Sequence, residues 1–240
     1  MKRTALFLSI LLFTFCSCTY IGGKRVRGNG DSVTQERQVG NFTGVSVRGG
    51  IDVVVAPGPV SSFKIQADRN LLDYIDIKNN GGIVEVRTRH GFNLRPVAGM
   101  KVFATAPSFS SIEVAGSGNI TSQSKVHGDN KLNLEIKGSG DIRLDVDAPN
   151  IDATIAGSGS ISLNGTTQNF EADIKGSGDV RSFNLLSENT NVDIAGSGNA
   201  EVFASKQLNV EIKGAGDVRY KGTAAVNQKI MGSGSVKQVN

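Results

Sequence analysis

Apolar residues occupy every second position along most of the second half of the chain. Between positions 132 and 146 each even-numbered residue is apolar or glycine, and the same alternation runs over 151–163 and 208–218. A period of two predicts β-strands with one buried face, and the β-branched residues at the apolar positions favour strands as well. The pattern therefore predicts an all-β protein.

A glycine motif recurs along this region without shifting the phase of the alternation. It has the form x-Gly-[Ser/Ala]-Gly-[Asn/Asp/Ser]-[Ile/Val/Ala], and its seven copies are spaced by 22, 19, 19, 20, 18 and 18 residues. Because the glycines fall on inward-facing positions, where a side chain would obstruct a tight bend, each motif predicts a corner between two strands. The predicted corner glycines are Gly116, Gly118, Gly138, Gly140, Gly157, Gly159, Gly176, Gly178, Gly196, Gly198, Gly214, Gly216, Gly232 and Gly234.

Each repeat is predicted to contain a strand, a Gly-Ser-Gly corner, a second strand and a short polar loop such as 147–150. A unit of this size buries its apolar face only by stacking on its neighbours. Parallel pairing of successive units gives a β-helix, a solenoid with one rung for each repeat of roughly 20 residues.

The region 39–110 carries the same alternation in a less regular form. Its segment Gly50-Ile51-Asp52 has the character of a degenerate corner, and a short helix is predicted at 69–74. Terminal repeats of solenoids are usually atypical. We therefore predict one β-helix domain over 39–240, in which 39–110 forms irregular first rungs and a cap, and 111–240 forms the regular repeats.

The first 18 residues have the composition of a targeting segment. Two basic residues precede an apolar run that is too short to span a bilayer well, and the run ends in Cys16-Ser17-Cys18. This ending resembles a bacterial lipoprotein signal, in which a small residue precedes the lipidated cysteine, so Ser17 favours lipid attachment at Cys18. An ordinary cleaved signal peptide is the alternative. Residues 19–38 are polar and contain several glycines, and they are predicted to form a flexible tether.

Several short motifs, taken together, resemble one protein family. Phe42-Thr43-Gly44-Val45, Gly50-Ile51-Asp52-Val53, Leu71-Leu72-Asp73 and the serial Gly-Ser-Gly units are similar to those of the head GIN-domain adhesins, secreted or lipid-anchored proteins that are frequent in Bacteroidetes. The resemblance covers 39–240. It implies a right-handed β-helix with two main sheets and a role in cell adhesion, and it implies no catalytic residues.

Charged residues recur at the outward-facing positions of alternate repeats. This repetition favours a salt-bridged outer ladder over an active site, because an active site is a single asymmetric constellation. With one rung per repeat, lysines of successive charged repeats lie two rungs, or about 9–10 Å, apart, where repulsion is small. The ladder residues are Lys137, Asp141, Arg143, Lys175, Asp179, Arg181, Lys213, Asp217 and Arg219.

The sequence predicts no catalytic, cofactor or metal site. Its two histidines, His90 and His127, are far apart, which gives no basis for a histidine-based zinc site, and the corner motif differs from the nine-residue calcium repeat. A glycan-active β-helix enzyme, either a polysaccharide lyase or a glycosidase, is the alternative function. It is disfavoured because the chain has three Tyr and no Trp to stack on sugars.

We therefore expect a non-enzymatic cell-envelope lipoprotein that acts as an adhesin or as a binding or scaffold module. The expected location is the outer membrane, through the lipid anchor, and the expected partner is an envelope or host-surface protein or glycan. Nucleic acid is excluded because the 26 basic residues are interspersed with 22 acidic ones rather than clustered. A homo-oligomer, or a tightly capped end, is expected at the last rung, since an uncovered strand edge invites pairing.

Overall fold

Nearly every element of the chain is a β-strand, and the strands wind into a solenoid of about seven turns. The computed structural model describes residues 23–240. The predicted signal segment 1–18, including Cys18, lies outside the described residues. The predicted all-β, parallel β-helix fold is confirmed.

Two groups of strands form the regular repeats, one on each side of the glycine corners. The lysine flank consists of strands that end at the first glycine of a corner: β10 (Ser111–Gly116), β13 (Lys131–Gly138), β15 (Asn150–Gly157), the last parts of β16 (Ser160–Gly176) and β17 (Asp179–Gly196), β19 (Gln207–Gly214) and β21 (Ala225–Gly232). The arginine flank consists of strands that begin after a corner: β11 (Asn119–Ser122), β14 (Asp141–Asp147), the first parts of β16 and β17, β18 (Asn199–Phe203), β20 (Asp217–Lys221) and β22 (Ser235–Gln238). The two-residue β12 (Val126–His127) pairs with β14.

The pairing register assigns one rung to each repeat. Lys137 pairs with Ala156 on the next rung, and Ala156 pairs in turn with Lys175. All these pairings are parallel, and the corner glycines pair with one another from rung to rung. The prediction that successive charged repeats are separated by an uncharged rung is therefore confirmed.

The core consists of columns of side chains that run along the solenoid axis. One column contains Ile136, Ile155, Ile174, Ile194 and Ile212, each stacked on the equivalent residue of the next rung and each 0–2% exposed. Burying an isoleucine of this kind contributes about 1.5–3 kcal/mol. The branched side chains suit a pleated surface, so the alternation recognised in the sequence also accounts for the packing.

The first part of the chain forms one regular rung and an irregular cap. β3 (Gly44–Gly49) and β4 (Asp52–Pro57) pair in parallel with β10 and β11, which places Gly49 beside Gly116 and confirms the degenerate corner. β7 (Ile83–Thr88) and β9 (Lys101–Ala106) continue the two flanks in parallel beyond β3 and β4. Antiparallel strands then cover this end: β2 (Ser32–Glu36), β5 (Ser62–Asp68) and β6 (Ile75–Asn80).

The predicted short helix is confirmed as a 3-10 helix, Arg69–Tyr74. The prediction of a flexible tether over 19–38 is wrong for much of its length. β1 (Lys24–Arg27) pairs with β8 (Phe92–Arg95), and β2 pairs with β5, so these segments are held by ladders of main-chain hydrogen bonds. Residues 19–22 lie outside the described part of the chain.

A buried carboxylate holds the turn between β1 and β2. Asp68 is fully buried and accepts hydrogen bonds from the backbone N–H groups of Gly30 at 2.6 Å, Val97 at 2.9 Å and Ala98 at 3.2 Å. Burial alone would raise the pKa of Asp68, but these backbone donors hold it below its usual value. The polar segment between β1 and β2, which was predicted to be part of a flexible tether, therefore forms a fixed loop.

Candidate functional site

Both glycines of each corner leave no room for a side chain. Gly176 has φ +121°, and a Cβ there would lie 2.5 Å from the carbonyl oxygen of Gly157 on the previous rung. That oxygen accepts the backbone N–H of Ser177 at 2.9 Å. A Cβ on Gly178 would lie 2.6 Å from Cγ2 of Ile155 and 2.7 Å from the carbonyl oxygen of Gly159, so the second glycine makes room for both the core column and the previous corner. The corners therefore fix the positions of the outward side chains on both flanks.

The first position after each corner forms a column on the arginine flank. Carboxylates in this column alternate with amides or hydroxyls, and no two carboxylates occupy neighbouring rungs. From one end to the other, the column runs Asp52, Asn119, Asp141, Ser160, Asp179, Asn199, Asp217 and Ser235.

Each carboxylate of this column accepts hydrogen bonds from the next rung. Ser235 donates to Oδ1 of Asp217 through its backbone N–H at 2.9 Å and through its hydroxyl at 2.6 Å. Asn199 donates its side-chain amide to Oδ1 of Asp179 at 3.0 Å. The alternation of corner sequences therefore supplies a donor beside every acceptor.

The local environment keeps two of these carboxylates ionised. The hydrogen bond from Ser235 holds the pKa of Asp217 below its usual value. Burial opposes the same shift at Asp141, but the hydroxyl of Ser160 and the charge of Arg143 outweigh it and lower the pKa. Both groups are therefore anionic at neutral pH and are engaged with neighbouring donors.

The arginines of the predicted ladder extend over the same flank. Arg143 Nη2 lies 2.9 Å from Asp141 Oδ2, and Arg181 Nη2 lies 2.9 Å from Asp179 Oδ2. Arg219 departs from this arrangement, because its Nη1 lies 3.7 Å from Glu201 on the previous rung. All three arginine side chains remain more than half exposed.

The lysines of the predicted ladder lie across the corner and pair with a different set of acids. Lys175 Nζ lies 2.6 Å from Asp173 Oδ2, and Lys213 Nζ lies 2.9 Å from Glu211 Oε1. Lys137 contacts both Glu135, at 2.7 Å, and Glu113 of the preceding rung, at 3.3 Å.

This second acidic column was not predicted from the sequence. Its members precede each corner by a fixed interval on the outward parity, and from one end to the other the column runs Glu113, Glu135, Thr154, Asp173, Asp193, Glu211 and Lys229. The signal was present, because an acid two residues before a lysine lies on the same face of a strand.

Asp193 is the member of this column with the least compensation. Its own strand has Ala195 at the position where neighbouring rungs have a lysine, and its rung lies between Asp173 and Glu211. Burial, Glu211 and Asp173 raise the pKa of Asp193, and the lysines of the adjacent rungs offset only part of the effect.

Several open depressions, including the following three, mark the surface of residues 23–240. The first, of about 250 Å³, lies on the arginine flank and is lined by Asp179, Arg181, Asn199, Glu201, Asp217 and Arg219. Another, of about 320 Å³, lies on the lysine flank around Asp193. The third, of about 480 Å³, lies near the capped end, beside Phe42 and Val60.

The arginine-flank depression contains several carboxylates, and the environment of Asp217 does not suit the general acid of glycoside hydrolysis. That reaction requires a general acid whose pKa is raised. The pKa of Asp217 is lowered, and Asp179 is bonded to Arg181 and Asn199. Within residues 23–240, no group of three or more His, Cys, Asp or Glu side chains is arranged to hold a metal ion.

Comparison with known proteins gives the family. The model of the family described as "Putative auto-transporter adhesin, head GIN domain" matches residues 41–224. The chain belongs to this family. The resemblance noted in the sequence is therefore confirmed, and the head GIN-domain match covers both the irregular rungs and nearly all of the regular repeats. No curated protein matches the sequence significantly.

Several solved structures share the fold of this chain along their whole length. A putative adhesin from Bacteroides fragilis has a TM-score of 0.82 at 19% identity and covers 89% of this chain and 100% of its own. A putative lipid binding protein from Parabacteroides distasonis has a TM-score of 0.76 at 24% identity, with 90% and 100% covered. A putative adhesin from the same organism has a TM-score of 0.73 at 26% identity, again with 90% and 100% covered.

Among the described residues, no helix is both long enough and apolar enough to cross a membrane. Membrane attachment at Cys18 stays a prediction, since that residue lies outside the described chain.

Proposed function

We propose that this protein is a non-enzymatic adhesin of the cell envelope, anchored by lipid at Cys18, that binds its partner through the arginine flank. Membership of the head GIN-domain adhesin family supports the adhesive role. The charged start of the chain and its Ser17-Cys18 ending support the anchor. Placement in the outer membrane is part of the same proposal.

The observation that carries the proposal is the repeated set of exposed guanidinium groups at two-rung intervals. Arg143, Arg181 and Arg219 lie on a surface held rigid by the corner glycines and by the Asp–Ser and Asp–Asn bonds. An interval of two rungs is about 9–10 Å. Such a surface suits an extended partner with acidic groups at a similar spacing, either a glycan or a protein segment from the envelope or a host surface.

The carboxylates beside the arginines set the expected strength of binding. Each guanidinium already has an acidic neighbour, so a partner must compete with an existing ion pair. Exposed ion pairs contribute about 0–1 kcal/mol each and are screened by salt. Binding through this flank is therefore expected to be weak at a single site, to gain strength from repetition, and to decrease as ionic strength rises.

The proposal is tested by charge reversal. The full chain and its Arg181→Glu variant are assayed for binding to immobilised envelope extract and to a panel of acidic and neutral glycans. Lys125→Glu, at an exposed loop position away from the ladder, is the matched control. We expect Arg181→Glu to weaken binding at least tenfold at low salt while the variant stays folded, with a slightly lower melting temperature because the new glutamate lies opposite Glu201 of the next rung. Equal binding by all three proteins would refute a role for the arginine flank.

A glycan-active enzyme is the alternative function, and the same preparation distinguishes it. Turnover of a polysaccharide by the wild-type chain, lost on Asp217→Asn, would support the enzyme. The lowered pKa of Asp217 favours the binding function instead.

A further inference from the structure

The two ends of the solenoid differ in how they cover the core. At the first end, the cap buries Phe42, Leu72 and Ile75 to between 2% and 8% exposure. At the last end, Val226 and Ile230 of β21 remain 38% and 36% exposed. These two residues continue the core columns of Leu208 and Ile212 on β19. The last rung therefore presents core positions that no element of residues 23–240 covers.

The outer edge of β21 is also unpaired in the described part of the chain. β21 pairs with β19 on one side, in eight consecutive residue pairs, and no strand among residues 23–240 lies on its other side. An edge of this length offers a row of backbone donors and acceptors to another chain. One inward position differs from the preceding rung, because Gln228 stands where β19 has Val210. An amide at a core position is unfavourable inside the solenoid, but it is suited to a junction between two chains, where it can hydrogen-bond to the partner.

We propose that β21 pairs with β21 of a second copy of this protein, end to end, about a two-fold axis through Gln228. This inference goes beyond the proposed function and does not depend on it. The geometry of the edge restricts the arrangement. A two-fold axis along the strand would turn the inward face of one copy outward, whereas an axis along the sheet normal keeps both inward faces on one side. Strands related by an axis along the sheet normal are antiparallel.

The side chains select the register. In an antiparallel pair, directly opposite residues lie on the same face of the sheet. An axis through Gln228 places Val226 opposite Ile230 of the second copy on the inward face, and it places the two Gln228 amides opposite each other, where they can exchange hydrogen bonds. On the outward face, Asn227 lies opposite Lys229.

The neighbouring registers are less favourable. An axis through Lys229 places two lysines directly opposite each other, and like charges in that arrangement destabilise a sheet. An axis through Asn227 places Val226 opposite Gln228, so an apolar core residue faces an amide. An axis between Gln228 and Lys229 places Gln228 opposite Lys229 of the second copy, so the inward face of one strand would meet the outward face of the other. The edge is therefore self-complementary in the register centred on Gln228.

Disulfide cross-linking tests this register directly. The axis brings the two copies of residue 228 directly opposite each other, with Cα atoms about 4.5–5.5 Å apart, which is within the range that a disulfide spans. The two copies of residue 229 are diagonal neighbours at about 7–8 Å, beyond that range. We expect the full chain carrying Gln228→Cys to form a covalent dimer under mild oxidation at least tenfold faster than the chain carrying Lys229→Cys. The wild-type chain measures the background from Cys16 and Cys18.

Analytical ultracentrifugation in density-matched detergent provides a second measurement without new cysteines. We expect the wild-type full chain to sediment as a dimer and Val226→Lys to sediment as a monomer, because the new lysine places a charge against the apolar face of the second copy. Val60→Lys is the matched control, since Val60 is 72% exposed near the opposite end, and it is expected to remain dimeric. Equal cross-linking of both cysteine variants would overturn the register, and a monomeric wild type with no Gln228→Cys dimer would overturn the proposal.

Discussion

Asp141 and Ser160 lie on neighbouring rungs and are joined by two hydrogen bonds. Oδ1 of Asp141 accepts the backbone N–H of Ser160 at 3.2 Å and its hydroxyl at 2.7 Å. Asp179 occupies the same position on the following rung. Ser160 therefore lies between two carboxylates, one on each neighbouring rung, and it is 8% exposed.

Replacing Ser160 by aspartate is expected to destabilise the solenoid. The variant loses a hydroxyl donor to Asp141 and places three carboxylates on consecutive rungs. A lost hydrogen bond and like charges on adjacent strands predict a loss of about 1–2 kcal/mol. The measurement is the shift in the urea midpoint at neutral pH. Ser160→Asn is the control, because Asn199 makes the equivalent bond to Asp179, and it is expected to stay within about 0.5 kcal/mol of wild type. Equal stability of the two variants would contradict this role of the column.

The corner glycines are expected to tolerate no β-branched side chain. In Gly176→Val, the new side chain meets the carbonyl of Gly157 and requires a positive φ, so the loss of stability should be about 3 kcal/mol or more. Gly50→Ala is the control, because Gly50 lacks a positive φ and the nearest atom to a Cβ there is Ser117 Oγ at 3.4 Å. Thermal melts should separate the two variants clearly, and a Gly176→Val melt that matches wild type would show that the corner is not tight.

The repeats were predictable because their signal is local and repeated. In successive repeats, Gly138 and Gly157 occupy the same place in the apolar alternation. That place predicts both the position of the corner and the division of the chain into rungs. The partner of Asp141 was harder to find, because it depends on which residue of the next rung lies alongside. Only the pairing register identifies that residue as Ser160.

The start of the folded chain was not predictable from local pattern. β1 is polar and has no apolar alternation, and its partner β8 lies more than sixty residues further along the chain, so no local signal indicates the pairing. The acids paired with the ladder lysines were missed for a different reason. The predicted ladder included only the acids that follow a corner, Asp141 and its equivalents, whereas Glu135 and Asp173 precede the corner on the same outward parity.

Lipid attachment is expected at Cys18. Metabolic labelling with a fatty acid should mark the wild-type chain and Cys16→Ala equally, and it should leave Cys18→Ala unlabelled, because the small residue Ser17 immediately precedes Cys18. The labelled protein should partition into the membrane fraction. Label that persists in Cys18→Ala and disappears in Cys16→Ala would move the anchor to Cys16.

Removing the charge of Asp193 is expected to stabilise the protein at neutral pH. Asp193 lies between Asp173 and Glu211 and has no lysine beside it on its own strand. Because its pKa is raised in the folded state, the folded protein binds this proton more tightly than the unfolded chain does. Like charges on adjacent strands predict a gain of about 0.2–1 kcal/mol for Asp193→Asn, measured from urea unfolding at pH 7.

The pH dependence of this gain distinguishes electrostatics from packing. A carboxyl with a raised folded-state pKa contributes most to stability below its unfolded pKa of about 3.9, and that contribution is lost as the pH rises through the folded value. The advantage of Asp193→Asn should therefore disappear as the pH falls below about 3.9, where the wild-type carboxyl is protonated in both states. Asp173→Asn is the control, because it removes the partner of Lys175 and is expected to give no gain at pH 7. A gain for Asp193→Asn that is the same at both pH values would show that repulsion in this column is not its cause.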